Sequence, residues 1–255
     1  MNCLTRRFAS FFLIFIIPSA SGMRWAINLY QRWATRRQTA LLLDAIQHDK
    51  VDAARNALEQ GANVNATCPK SYRSPLHSAV EQQSLQIGNL LLARGANPNS
   101  IDLLYRTPLH LAVKQRRSQT VKTLLAHGAN VEACDYKRET PLHCAVARNA
   151  PKMVEALLAN DANINARNLN RQTPLHIATL TPSPHVLPFL LGHADIDALD
   201  ERGNRPIHIA PHSTFETYIR CLLIHNVSVY THIRRILMAH GARIIEDNRA
   251  DWTVG

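Results

Sequence analysis

The sequence repeats a four-residue motif at an almost constant interval, and this repeat constrains the fold more than any other feature. The motif is Ser or Thr followed by Pro-Leu-His, with prolines at Pro75, Pro108, Pro141 and Pro174, and a weaker copy follows at Pro206. The intervals between these prolines are 33, 33, 33 and 32 residues. A fixed period in this range is typical of a solenoid, in which each repeat contacts only its neighbours.

The copy at residues 107–110 shows how one repeat is built. Thr107 is a good helix N-cap, and Pro108 suits the first helical position because its missing N–H would be unpaired there in any residue. A second helix is predicted over residues 118–127, and Gly128 follows where a helix commonly ends in a left-handed residue. Each repeat is therefore predicted to contain two short helices and a polar connection to the next repeat.

These features resemble the ankyrin repeat family. The tetrapeptides share their register with a closing Gly-Ala-Asn triplet at residues 61–63, 95–97 and 128–130. The resemblance covers about residues 40–243, and it implies an all-α ankyrin-repeat solenoid of stacked helix pairs with projecting β-hairpin loops.

Two residues depart from the repeat pattern. Asp161 replaces the helix-ending glycine, and a left-handed conformation there would cost about 1 kcal/mol. Pro188 falls in a predicted second helix, which tolerates proline only in its first turn.

The chain divides into four predicted segments. These are a signal peptide or membrane anchor at 1–22, a basic amphipathic linker helix at 23–40, the ankyrin repeat array at 41–243 and a tail at 244–255. Within the array, a degenerate first repeat precedes four clear repeats, a worn fifth repeat and a truncated last one. A degenerate first repeat is expected of an end cap, because one of its faces has no neighbour.

The N-terminal segment combines basic residues with an apolar run, and several interpretations remain open. Arg6 and Arg7 precede the apolar residues 8–17, and the small residues 20–22 offer a cleavage site, as in a secretory signal peptide. An uncleaved anchor, a mitochondrial presequence and an untargeted leader are the alternatives. If the run anchors the chain, more arginines follow it than precede it, which would keep the array in the cytosol. We expect an intracellular chain, associated with a membrane through this run, with secretion as the alternative.

Residues 23–40 alternate apolar and basic side chains at roughly helical spacing. Trp25, Tyr30 and Trp33 stand among four arginines. One interpretation is an interfacial helix with aromatic anchors on acidic lipid, which would give membrane contact through residues 8–37. The other, which we prefer from the sequence, is a linker helix that covers the open end of the array.

The net charge of +10 arises mostly from the N-terminus. Residues 1–43 contain six arginines, no lysine and no acidic residue, which leaves +4 for the rest of the chain. The charge therefore does not indicate a specific nucleic-acid partner.

The sequence contains no recognisable catalytic or metal-binding motif, although it has 13 histidines and five cysteines. His77, His110, His143 and His176 recur once per repeat, and helix layers about 8–10 Å apart cannot place such side chains on one zinc ion. The ankyrin resemblance implies that this histidine is structural and forms hydrogen bonds within and between repeats. The cysteines have neither CxxC nor metal-ligand spacing. We expect no enzymatic activity, no cofactor and no bound metal.

Function is expected at the hairpin tips and first helices, which form the concave surface of a solenoid. The family commonly has glycine in these turns, and Tyr105, Arg138 and Arg171 replace it here. The candidate partner-binding residues are Leu103, Leu104, Tyr105, Arg106, Tyr136, Lys137, Arg138, Leu169, Arg171 and Arg202, with Lys114, Arg116, Arg117 and Arg148 on adjacent helix turns. Tyrosine and arginine are enriched at binding hot spots, so the pattern predicts a basic groove with aromatic side chains for a protein partner that has an acidic segment.

The predicted function is a non-catalytic protein–protein interaction module, an adaptor or scaffold. A secreted or membrane-tethered ankyrin effector is one alternative. A regulatory subunit or nucleic-acid-associated factor is another, and the modest charge of the array weakens it.

Overall fold

The computed structural model of the chain describes residues 20–180 and 185–209. Within these residues it contains ten α-helices, one 3₁₀ helix and no strand, which confirms the predicted all-α class. The predictions for residues 1–19, for the truncated last repeat and for the tail at 244–255 lie outside the described residues.

The chain divides into two compact units between Leu103 and Leu104. The described helices of the first unit are α1 (Ala20–Gln47), α2 (Val51–Glu59), α3 (Pro75–Glu81) and α4 (Leu85–Ala93). Helix α1 packs against α2 and α3, and α4 packs against the same two helices. The largest fully buried side chains of this unit are Leu42, Ile46, Leu76, Ile87 and Leu91. Each such side chain contributes about 1.5–3 kcal/mol through removal of apolar surface from water.

The second unit consists of two layers of helices. Its described helices are α5 (Pro108–Lys114), α6 (Ser118–Ala126), α7 (Pro141–Ala147), α8 (Pro151–Leu158), α9 (Pro174–Leu180) and α10 (Leu187–Leu191), followed by a 3₁₀ helix (Pro206–Ile209). The first helices α5, α7 and α9 stack in that order, and the second helices α6, α8 and α10 stack beside them. The core between the layers contains Leu109, Leu124, Leu142, Met153, Leu157 and Leu175.

Helix α1 continues from the predicted linker into the first repeat without a break. It spans 28 residues. Near its C-terminal end, Gln38 donates a hydrogen bond to the Gln60 side chain at 2.8 Å, and the Asn63 N–H donates to Thr39 Oγ1 at 3.0 Å. Residues 27–33, in contrast, are exposed. Within the described residues, no helix has both the length and the apolar character that a membrane span requires.

The helix boundaries follow the predicted chemistry of the repeat. Helices α3, α5, α7 and α9 all begin at the proline of the motif. The glycines of the closing triplets have positive φ angles, such as 80° at Gly128, and Asp161 takes the same conformation with φ 62°. Pro188 is the second residue of α10, which is the first-turn position that a helix tolerates.

Candidate functional site

Three of the motif histidines, His110, His143 and His176, each link one repeat to the next through a hydrogen bond. At the N-terminus of α7, the N–H of the N-cap residue Thr140 donates to His143 Nδ1 at 3.2 Å, and the Thr140 hydroxyl lies 3.0 Å from the same nitrogen. Because Nδ1 accepts a hydrogen bond, the proton lies on Nε2, which donates to the Gln172 carbonyl oxygen at 3.1 Å. His110 and His176 repeat this arrangement. The predicted structural role of these histidines is confirmed.

His143, His176 and Cys144 favour their uncharged forms at neutral pH. Burial lowers the pKa of His143 and of His176, because a charged ring would lose its hydration. Burial also raises the pKa of the Cys144 thiol to about 12, so this thiol is protonated at neutral pH. In the described part of the chain, no cluster of three or more His, Cys, Asp or Glu side chains could hold a metal ion.

An Asp or Asn side chain organises three successive loops of the second unit. Asp135 Oδ1 accepts hydrogen bonds from the N–H groups of Lys137 and Glu139 at 2.8 and 2.9 Å. Asn168 and Asp200 form the same pair of bonds in the next two loops. Burial opposes the ionisation of Asp200, but the hydrogen bonds that its carboxylate accepts outweigh burial and lower its pKa. The acidic groups at the centre of these loops are therefore bound to their own backbone.

Single backbone hydrogen bonds join successive loops of the second unit. Each runs from an N–H group to a carbonyl oxygen of the preceding loop: Tyr136 to Leu104 at 3.0 Å, Leu169 to Lys137 at 2.8 Å, and Glu201 to Asn170 at 2.9 Å. Over the described residues these loops are turns rather than strands. The bonds bring the predicted tip residues of neighbouring loops side by side.

The tip of each loop is a left-handed residue. The φ angle is 57° at Tyr105, Arg138 and Arg171, and it is 77° at Gly203, which stands at the same position of the next copy. This conformation costs glycine nothing, but it costs a residue with a side chain about 1–2 kcal/mol.

The predicted binding side chains of the second unit are mostly solvent-exposed. The exposed fractions are 58% for Tyr105, 51% for Tyr136 and 61% for Leu169. Leu104, Lys137, Arg138, Arg171 and Arg202 are exposed as well, whereas Arg106 is partly buried. The Lys137 ammonium lies 5.6 Å from the centroid of the Tyr136 ring, and the Tyr136 phenol raises the pKa of Lys137. Leu103, also exposed, belongs to the first unit.

Sequence reasoning missed Tyr72, which has the same character in the first unit. It has a φ angle of 54° and is largely exposed. Tyr72 stands two residues before Ser74, just as Tyr105 stands two residues before Thr107. Counting back from each motif would therefore have identified it.

Comparison with family models agrees with the repeat assignment. A model for ankyrin repeats in three copies matches residues 90–168, one for many copies matches 148–191, and a single ankyrin repeat model matches 71–103.

Several curated proteins are similar to part of this chain. The human 2-5A-dependent ribonuclease is 38% identical over 80 residues, which is 31% of this chain and 10% of that protein. The ankyrin repeat and LEM domain-containing protein 1 homolog of Caenorhabditis elegans is 48% identical over 54 residues, 21% of this chain and 8% of that protein. The BRCA1-associated RING domain protein 1 of the same species is 36% identical over 53 residues, again 21% of this chain and 8% of that protein. The chain thus spans a tenth or less of the length of these relatives.

Proposed function

The chain belongs to the ankyrin repeat family, and from this premise we propose that it is a non-catalytic adaptor that captures a protein through the loops of its second unit. Ankyrin repeats are protein–protein interaction modules. The proposed site, called the tip surface, consists of Leu104, Tyr105, Arg106, Tyr136, Lys137, Arg138, Leu169, Arg171 and Arg202. One relative is by name a ribonuclease, but this chain spans 10% of it, and we propose no such activity here.

The observation that carries this proposal is backbone strain at exposed positions. Tyr105, Arg138 and Arg171 hold a left-handed backbone while their side chains lie exposed to solvent. Gly203 shows that the same turn accepts glycine, which would remove the strain. Strain of this kind is concentrated at functional sites, where the side chain serves a purpose other than stability. Contact with a partner gives these side chains such a purpose.

The charge of the tip surface indicates the kind of partner. Asp135 and Asp200 direct carboxylate oxygens to backbone N–H groups of their own loops, while the neighbouring basic side chains are exposed. Further exposed basic residues stand at the ends of α5 and α7 and in the turns after them, namely Lys114, Arg116, Arg117 and Arg148. We therefore propose a partner segment with acidic side chains for the arginines and apolar groups for the tyrosine rings.

The experiment is capture with the full chain as bait. The triple variant Tyr105→Ala, Tyr136→Ala and Arg138→Ala should abolish capture of the partner. It should leave the melting temperature unchanged, because these side chains are exposed. The matched control is Lys122→Ala with Lys152→Ala, two exposed lysines on the second helices α6 and α8, and it should capture normally.

Two outcomes would contradict the proposal. One is a triple variant that still captures the same partner at the same level. The other is capture that disappears on nuclease treatment and weakens steeply with salt, which would identify a nucleic acid as the bound component, because phosphate contacts release counterions.

A further inference from the structure

The N-terminal part of α1 carries large apolar and aromatic side chains that the repeats do not cover. Tyr30 is 58% exposed and Trp33 is 52% exposed, and Leu29 is exposed beside them. The repeat-facing residues Leu42, Ala45 and Ile46, near the other end of the helix, are almost completely buried. The exposed residues therefore lie on a helix that is anchored at its C-terminal end.

Two aromatic side chains and one arginine share one side of this helix. Tyr30, Trp33 and Arg37 follow one another at spacings of three and four residues, which places them on one face. The Tyr30 and Trp33 ring centroids are 6.2 Å apart, and the Arg37 guanidinium carbon lies 5.6 Å from the Trp33 ring centroid. At 100° per residue, Trp33 points away from the buried residues Leu42 and Ile46.

The charge on this part of the helix has one sign. Helix α1 contains Arg24, Arg32, Arg36 and Arg37, and its first acidic residue is Asp44. Arg32, Arg36 and Arg37 are exposed. Four or more basic residues on a helix that also presents aromatic side chains are typical of binding to anionic lipid, since tryptophan and tyrosine favour the headgroup region.

We propose that this basic–aromatic segment, consisting of Leu29, Tyr30, Arg32, Trp33, Arg36 and Arg37, docks on the surface of an anionic lipid bilayer. The arginines contact lipid phosphates and carboxylates, and the rings of Tyr30 and Trp33 enter the interface beside them. A bilayer fits better than an acidic protein or RNA, because the apolar sequence at residues 8–17 lies on the N-terminal side of the same helix. This docking is separate from the tip surface, and either can fail without the other.

The test uses the full chain with Trp25→Phe and Trp252→Phe, which leaves Trp33 as the reporter. Vesicles of phosphatidylcholine alone and of phosphatidylcholine with phosphatidylserine are compared. We expect a blue shift of the Trp33 emission and at least about tenfold stronger partitioning on the anionic vesicles. Arg36→Gln with Arg37→Gln should weaken partitioning about 30-fold, because each basic residue near an anionic surface contributes about fivefold. Lys122→Gln with Lys152→Gln removes the same charge elsewhere and should change partitioning little.

Three results would overturn the inference. Equal partitioning to neutral and anionic vesicles would mean that the segment does not bind anionic lipid in preference to neutral lipid. Unchanged partitioning of the Arg36 and Arg37 double variant would exclude the segment itself. An equal Trp33 shift with polyglutamate or RNA, insensitive to Tyr30→Ala, would assign the segment to acidic macromolecules instead of lipid.

Discussion

The N-cap position of each Pro-Leu-His motif and the loop-tip position two residues before it differ in how strongly the fold constrains the residue type. Thr140 is 2% exposed, and its backbone and hydroxyl both contact His143. Arg138, two residues earlier, is exposed and left-handed. Across the copies the first position is Ser or Thr four times, whereas the second reads Tyr, Tyr, Arg, Arg and then Gly. The residue type is constrained at the position whose side chain bonds to the motif histidine. It can vary at the left-handed position, where the turn is held by backbone hydrogen bonds.

The largest change in the free energy of unfolding should come from the motif histidines and their N-cap partners. His143→Ala should lower the free energy of unfolding by about 3 kcal/mol, because it leaves the Thr140 N–H and the Gln172 carbonyl without their partner and creates a cavity. Urea unfolding of the full chain measures this difference. His127→Ala is the control, since His127 is exposed at the end of α6, and it should change stability by less than about 0.5 kcal/mol. Equal losses in the two variants would remove the distinction between framework and surface histidines.

A substitution at the left-handed loop tip should have an intermediate effect on the free energy of unfolding, and of opposite sign. Arg138→Gly should raise the free energy of unfolding by about 1 kcal/mol, because glycine adopts φ 57° without strain. Gly203→Arg is the reverse change at the same position of the next copy, and beyond the adjacent residues no heavy atom lies within 4 Å of where its Cβ would be. It should therefore destabilise by a similar amount through backbone strain alone.

The Arg138→Gly variant also tests whether the arginine serves stability or binding. If the tip surface acts as proposed, Arg138→Gly gains stability and loses partner capture. An Arg138→Gly variant that is less stable than the natural chain would show that the arginine supports the fold, and the contrast between the two positions would weaken.

The smallest effect concerns pH. Because burial lowers the pKa of His143 and His176, the unfolded chain takes up protons at a higher pH than the folded chain does. Stability should be constant above the ordinary histidine pKa of about 6.5 and should fall as the pH decreases below it, until the folded pKa values are reached. Urea unfolding at pH 7.5 and 5.5, with an NMR titration of the His143 ring, checks this direction. A ring that titrates at or above pH 6.5 would contradict it.

Much of the fold could be predicted from the sequence, because local chemistry determines it. A proline that needs no N–H partner begins α3, α5, α7 and α9, and a left-handed glycine such as Gly128 ends the second helix of a repeat. The role of the histidines could be predicted for the same reason, since each recurs at a fixed distance from its N-cap.

The remaining features depend on packing, which periodicity does not reveal. The pattern placed a boundary between a linker at 23–40 and the array, but α1 crosses it as one helix because nothing in the sequence near Ala40 ends a helix. From the sequence we preferred a helix that covers the open end of the array, but Tyr30 and Trp33 face solvent. Likewise, the left-handed backbone of Tyr105 and Arg138 could not be predicted from the residues themselves, since neither favours that conformation.

The hydrogen bonds between successive loops have a consequence for how recognition can evolve. They join main-chain atoms, for example the Tyr136 N–H and the Leu104 carbonyl, and every amino acid except proline supplies both groups. One tip residue can therefore be exchanged while the loop stays in place and its neighbours keep their positions. If the tip surface binds a partner as proposed, its specificity can change by single substitutions, each acting on one contact at a time.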